Sequence, residues 1–139
     1  MQENCVFCKI IAGTIPSATV YEDENFKAIL DISPAAKGHI IILSKTHREN
    51  LLELDDQTAS EAILVAKRLA KAMLEELNCD GINMLQNNGE AAGQSVLHYH
   101  IHLIPRFKGD TVKMTWTPGQ YEGGEVAFVA QAIASRISK

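Results

Sequence analysis

Three histidines alternate with apolar residues in His98-Tyr99-His100-Ile101-His102-Leu103-Ile104-Pro105. That is the period of a β-strand, on which successive side chains point to opposite faces, so the imidazoles share one face while Tyr99, Ile101 and Leu103 enter a core. At a rise of roughly 3.3–3.4 Å per residue His98 and His102 stand about 13 Å apart, too far to ligate one zinc ion through bonds of about 2.0–2.1 Å. The outer two therefore have different roles, and His100, within reach of either neighbour's ligand, is the natural seat of chemistry. One strand histidine is usually a satisfied core or surface residue. Three at strict i, i+2, i+4 spacing would each need a partner if merely buried, so the pattern points to function.

Other chemistry-bearing residues are scattered along the chain. Cys5 and Cys8 form a C-x-x-C unit without a preceding strand, which favours half a zinc site over a thioredoxin-type redox pair, with two ordinary thiols as the plain alternative. Any other half would have to be histidine. Asp31, before Ser33-Pro34, organises a turn or, as a carboxylate at a strand end, holds sugar hydroxyls. The loop from Asn88 to Ser95, with Gly89 and Gly93, is either a plain turn or a set of free amides suited to an anion such as phosphate. Arg106 is a candidate phosphate partner or a solvated charge.

These residues need elements to position them. Residues 5–12 read as a short helix stopped by Gly13 and Pro16. Residues 18–22 and 26–30 read as two strands of a hairpin turning at Asp23-Glu24-Asn25. Gly38-His39 opens an apolar, central strand that ends near Ser44, before His47. Asp55 to Thr58 supply helix caps, with Thr58 and Glu61 fitting a capping box. Ala62, Ile63, Ala66, Leu69, Ala70, Met73, Leu74 and Leu77 then recur at helical spacing, so a long helix should lay one face on a sheet. Residues 82–87 form a further strand. The stretch from Thr111 to Gly124 is irregular and expected to pack through its aromatics around Trp116, and Val126, Val129, Ala130, Ile133 and Ile137 mark a final helix.

The chain has 139 residues, 46% hydrophobic and 22% charged, the size and composition of one globular domain. A net charge of −4 without a basic run excludes the electrostatic footprint of a nucleic-acid polymer site and leaves free nucleotides open. No apolar run approaches a membrane span and Met1 to Asn4 lack a basic leader, so the expected location is cytoplasmic, without membrane contact. Three cysteines are an odd number. Cys79 reads as an ordinary, partly buried thiol.

The triad segment resembles the signature of the histidine-triad (HIT) family. Cys5-x-x-Cys8-Lys9-Ile10-Ile11, Ile15-Pro16, Asp31-Ile32-Ser33-Pro34, Gly38-His39, Asn87-x-Gly89, Gly93-Gln94-Ser95 and Trp116-x-Pro118-Gly119 are similar to its nucleotide-binding branch, covering about residues 4 to 119. The resemblance implies an α+β fold: a five-stranded antiparallel sheet with one long helix and short terminal helices, two copies joining into a ten-stranded homodimer. It divides the chain into a HIT domain over 1–121 and a helical extension over 122–139.

The activity implied is hydrolysis at the α-phosphorus of purine nucleotides such as AMP derivatives, with His100 as the nucleophile that becomes nucleotidylated. His102 and Ser95 assist as catalytic groups. Asn87, Gly93 and Gln94 approach phosphate or leaving group, Asp31 the ribose, and Phe7, Ile10, Ile15, Ile29, Ile32 and His39 the nucleoside. A neutral imidazole with an ordinary pKa near ~6.5 is a competent nucleophile at neutral pH. Bacterial relatives in this family hold a structural zinc to which Cys5, Cys8, His47 and His98 correspond. Pro105-Arg106 resembles instead the branch that cleaves dinucleoside polyphosphates. A non-catalytic nucleotide-binding dimer, and a zinc hydrolase ligating through His98 and His100, are the remaining alternatives.

Overall fold

The computed structural model describes residues 2–137; the first residue and the last two of the 1–121 and 122–139 division lie outside them. Helix α1 spans Val6–Ala12 and ends at Gly13 in the left-handed region. Strands β1 (Thr19–Glu22), β2 (Phe26–Leu30) and β3 (Ile40–Ser44) follow, then the long helix α2 (Asp56–Leu77), β4 (Gly81–Leu85), β5 (His100–Arg106) and α3 (Glu125–Ala134). One sheet in the order β1-β2-β3-β5-β4 contains all five strands. Every neighbouring pair is antiparallel. The α+β fold and the five-stranded antiparallel sheet are as the resemblance implies, while the histidine strand, expected from His98, begins at His100.

Alternation along the strands divides the core in two. Phe26, Ala28, Ile40, Ile42, Tyr99, Ile101 and Leu103 face α2, where Ala62, Val65, Ala66, Leu69 and Met73 meet them. The opposite residues, Ile29, Ile41 and Leu43, meet Phe7 and Ile10 of α1. Truncating one of the large α2-side residues, such as Phe26, would cost about 3–5 kcal/mol, so this face supplies the rigid floor. The smaller α1-side cluster shares its face with the histidines.

The cap of α2 is Asp55, whose carboxylate accepts from the backbone N–H and the hydroxyl of Thr58. Thr58 thus lies inside the helix rather than capping it. The strand expected over 82–87 ends at Leu85, because Gln86 and Asn88 bond to each other through their side-chain amides and leave the ladder. The aromatics after Thr111 do not pack as expected: Trp116 is 84% exposed, and Tyr121 and Phe128 are also open. No described helix is long and apolar enough to cross a membrane.

Gly38 is where the backbone must turn into β3. Its φ of +99° lies in the left-handed region, and an added Cβ would stand 2.6 Å from Leu77 Cδ1 at the end of α2. Gly38→Ala is expected to destabilise the chain by more than about 1 kcal/mol, read as a lowered urea midpoint at unchanged slope, and adding Leu77→Ala should recover only the steric part of a loss otherwise set by backbone strain.

Candidate functional site

Strand β5 presents His100 and His102 on the α1 face, with ring centroids 5.0 Å apart. His98 precedes the strand by two residues and is fully buried. The bonds of each ring fix its tautomer. His100 donates Nδ1–H to the carbonyl of His98 at 2.7 Å, which leaves Nε2 with a free lone pair. His98 donates Nε2–H to the carbonyl of Ser44 at 2.7 Å, which frees its Nδ1.

A second chain of bonds reaches His102. The backbone N–H of Ala35 donates to His39 Nδ1 at 3.0 Å. His39 therefore carries its proton on Nε2, 2.9 Å from His102 Nδ1. Once His102 accepts there, its own proton sits on Nε2, and the ring offers a donor beside the His100 lone pair. The two rings consequently have opposite polarity, one nucleophilic and one electrophilic.

Electrostatics keep the rings neutral. Burial lowers His100, opposed by its bond to the His98 carbonyl and by Asp31. Burial, then the neighbouring His100 and His39, lower His102 to about 4. His39 is lowered by burial despite Asp31. Asp31 has the turn role expected from sequence: one oxygen accepts from Ser33 N–H, while the other lies 3.8 Å from His39 Nε2.

At the far side of His98, four donors converge. His98 Nδ1 lies 3.3 Å from Cys5 Sγ, 3.6 Å from Cys8 Sγ and 3.1 Å from His47 Nδ1. Cys8 Sγ and His47 Nδ1 are 3.3 Å apart. A tetrahedral ion with bonds of about 2.3 Å to sulfur and about 2.0–2.1 Å to nitrogen places S···N at roughly 3.6 Å and N···N at roughly 3.3 Å. The set fits a zinc ion, and the Ser44 carbonyl supplies the outer hydrogen bond that metal-bound imidazoles require. Cys5, Cys8, His47 and His98 all lie within 4.8 Å of one another. The two outer histidines of the triad thus belong to different constellations.

The structure distributes the other expected residues unevenly. Phe7 packs edge-on against His98 and His100, with centroids 5.9 and 4.9 Å away. Ile10 and Ile29 are buried beside it, Ile15 is partly buried against the same cluster, and Ile32 is 94% exposed at the rim. Gln94 is buried, accepting from Gly89 N–H and donating to the carbonyls of Glu49 and Val96, so its side chain holds the loop. Asn87 donates to the Gly93 carbonyl at 3.4 Å. Ser95 lines an open cleft of about 620 Å³ shared with Cys5, His47 and Arg48. Arg106 lies partly exposed and is engaged away from the histidines: it grips Asp110 through two nitrogens at 2.8 Å and bonds Asn83. Sequence reasoning missed the Ala35 N–H and the Ser44 carbonyl, since a backbone group carries no residue-type signal.

A HIT domain is matched over residues 12–109. The chain belongs to the HIT, or histidine-triad, family. It is 47% identical to the Protein hit of Bacillus subtilis over 98% of this chain and 96% of that one. A crystal structure of a HIT family member from the same species superposes with a TM-score of 0.92 over 99% of both chains, at 46% identity. The adenosine 5′-monophosphoramidase of Saccharomyces cerevisiae is 47% identical over 73% of this chain and 62% of its own length. A zinc-bound histidine-triad protein from Mycobacterium smegmatis is 39% identical, with a TM-score of 0.76 over 96% of this chain and 98% of that one.

The depressed pKa of His102 has a thermodynamic consequence. Below about pH 6.5 an unfolded histidine binds a proton that the folded ring refuses until about pH 4. The unfolded state then holds more protons, and stability falls with falling pH across that window while above it this group contributes no slope. Urea midpoints measured from pH 4 to pH 8 should show the decline, and His102→Asn should make it shallower.

Proposed function

We propose that the chain is a nucleotide hydrolase that cleaves the α-phosphorus bond of purine nucleoside phosphoramidates or related nucleotides through a nucleotidyl-His100 intermediate. The observation that carries this reading is the paired tautomers: a lone pair on His100 Nε2 and a proton on His102 Nε2. His100 Nε2 attacks the α-phosphorus, a P–N bond to the enzyme forms, and the bond to the leaving group breaks. His102 Nε2–H stabilises the charge on a non-bridging oxygen, the commonest source of catalysis in such transfers. Water then attacks the phosphorus, the P–N bond to His100 breaks, and the nucleoside monophosphate leaves as the water gives up a proton that offsets the one taken up by the departing amine. The activity for which the yeast relative is named supports this substrate class.

Around that centre, Asp31 takes the ribose, Phe7, Ile10, Ile15, Ile29 and Ile32 the base, and Ser95 with the Asn87–Gly93 loop the phosphate or leaving group. His39 serves as the ring that orients His102. Zinc held by Cys5, Cys8, His47 and His98 is structural, since four protein donors leave it no open position. Cysteines without disulfide partners, Cys5 and Cys8 as zinc ligands and Cys79 as a thiol, accord with a cytoplasmic location. A homodimer is supported by α3, whose apolar Val126, Phe128 and Ile133 lie open on the single chain. Dinucleoside polyphosphate cleavage draws no support from Arg106, which is committed to Asp110.

Purified wild type should release AMP from adenosine 5′-phosphoramidate, and His100→Ala should lose more than about a thousandfold in kcat while still binding AMP. Equal turnover by the variant removes His100 as nucleophile, and faster cleavage of diadenosine tetraphosphate moves the assignment to the polyphosphate branch. Light scattering on the same sample should give twice the chain mass.

A further inference from the structure

The donor set and the nucleophile meet at two residues, and neither contact follows from the reaction itself. His98 presents its ring to Cys5, Cys8 and His47 and its carbonyl to His100. Its ring nitrogens are fully used, Nε2 on Ser44 and Nδ1 on the donor set. The carbonyl that holds His100 therefore cannot shift unless that anchorage shifts.

Phe7 makes the second link. It lies between the two cysteines, next to Cys8 in the first turn of α1, and its ring edge meets both His98 and His100. The cap of this turn is weak: Cys8 N–H donates to Cys5 Sγ at 3.4 Å, and that sulfur also faces His98. Seven residues are too few for a helix to hold itself in water. Whatever fixes the two sulfurs therefore fixes Phe7, and close-packed interiors pass such displacements to the neighbouring ring.

We propose that a divalent metal at Cys5, Cys8, His47 and His98 is energetically coupled to the nucleophile, with Phe7 and the His98 carbonyl as the positioning groups that hold His100 in its Nδ1–H tautomer. The metal thus adds to stability and also prepares the attacking nitrogen. By linkage the effect runs both ways: a nucleotide seated at His100 tightens zinc by the same factor that zinc tightens the nucleotide. This second half rests on the nucleotide-binding reading above, whereas the first does not.

The first test is independent of nucleotide. Nitrogen-15 spectra of the zinc-loaded protein at fixed pH should show His100 in one tautomer. Removing the metal with a chelator should mix its tautomers and leave the His39–His102 pair unchanged. An unaltered His100 after chelation overturns the proposal, as does a protein that binds no stoichiometric zinc. If chelation unfolds the chain, Phe7→Leu loaded with zinc and free of nucleotide decides the matter, because it removes the aromatic ring while keeping the four donors and an apolar side chain: mixed tautomers support the coupling and a single one refutes it.

The second test measures zinc competition against a chromophoric chelator with and without saturating AMP, after calorimetry has established AMP binding. An affinity gain of about 5–150-fold is the ordinary range of such couplings. Phe7→Leu should reduce that gain towards unity, which a residue serving only stability would not do. AMP that binds without changing zinc affinity overturns the coupling. AMP that fails to bind overturns the nucleotide reading, and the tautomer spectra then decide the coupling alone.

Discussion

The hydrogen bond from His100 Nδ1 to the His98 carbonyl, 2.7 Å long, is the constraint on which the arrangement depends. An imidazole in water exchanges its proton between two nitrogens and presents either as base. Here one nitrogen is occupied, so the lone pair has a single position and direction. The acceptor of that bond is anchored through His98, held on one side by the Ser44 carbonyl and on the other by two sulfurs and a third imidazole. Placing His100 next to the donor set ties the direction of its lone pair to the N-terminal segment.

Burial is the second requirement, and it works with the first. Four imidazoles, His39, His98, His100 and His102, are withdrawn from water and held neutral by desolvation. Neutral rings would be costly to bury if their nitrogens lacked partners. Among the described residues no buried side-chain nitrogen or oxygen is left without one. The bonds that satisfy the rings also determine their tautomers, so the network that makes burial tolerable also sets which ring offers a lone pair and which a donor.

The sheet keeps these two tasks apart. On one face, α2 packs against seven strand and strand-flanking residues and supplies stability. On the other, a smaller apolar cluster under α1 leaves room for polar side chains and an accessible rim at Ile32. The C-terminal limb is different again. Arg106 and Asp110 tie its beginning to β4 through Asn83, and beyond Val112 its aromatics lie open.

By itself the sequence determined the alternation of β5, the long amphipathic α2 and the separation of His98 from His102 along the strand, because all three follow from local periodicity and the fixed rise of a strand; the antiparallel five-stranded sheet was implied by the resemblance. The resemblance supplied His47 as the fourth partner of Cys5, Cys8 and His98, a match that spacing alone would not find across so many residues. Only the tertiary structure decided that His39 bonds His102, that Gln94 is consumed by its own loop, that Arg106 closes on Asp110, and that Trp116 stays open. It also supplied the Ala35 N–H and the Ser44 carbonyl, which fix the tautomers. These are contacts between groups distant in the chain or belonging to the backbone, whose pairing is set by how the sheet, α1 and the loops close on one another; residue type limits what a group can donate or accept, and the fold alone chooses its partner.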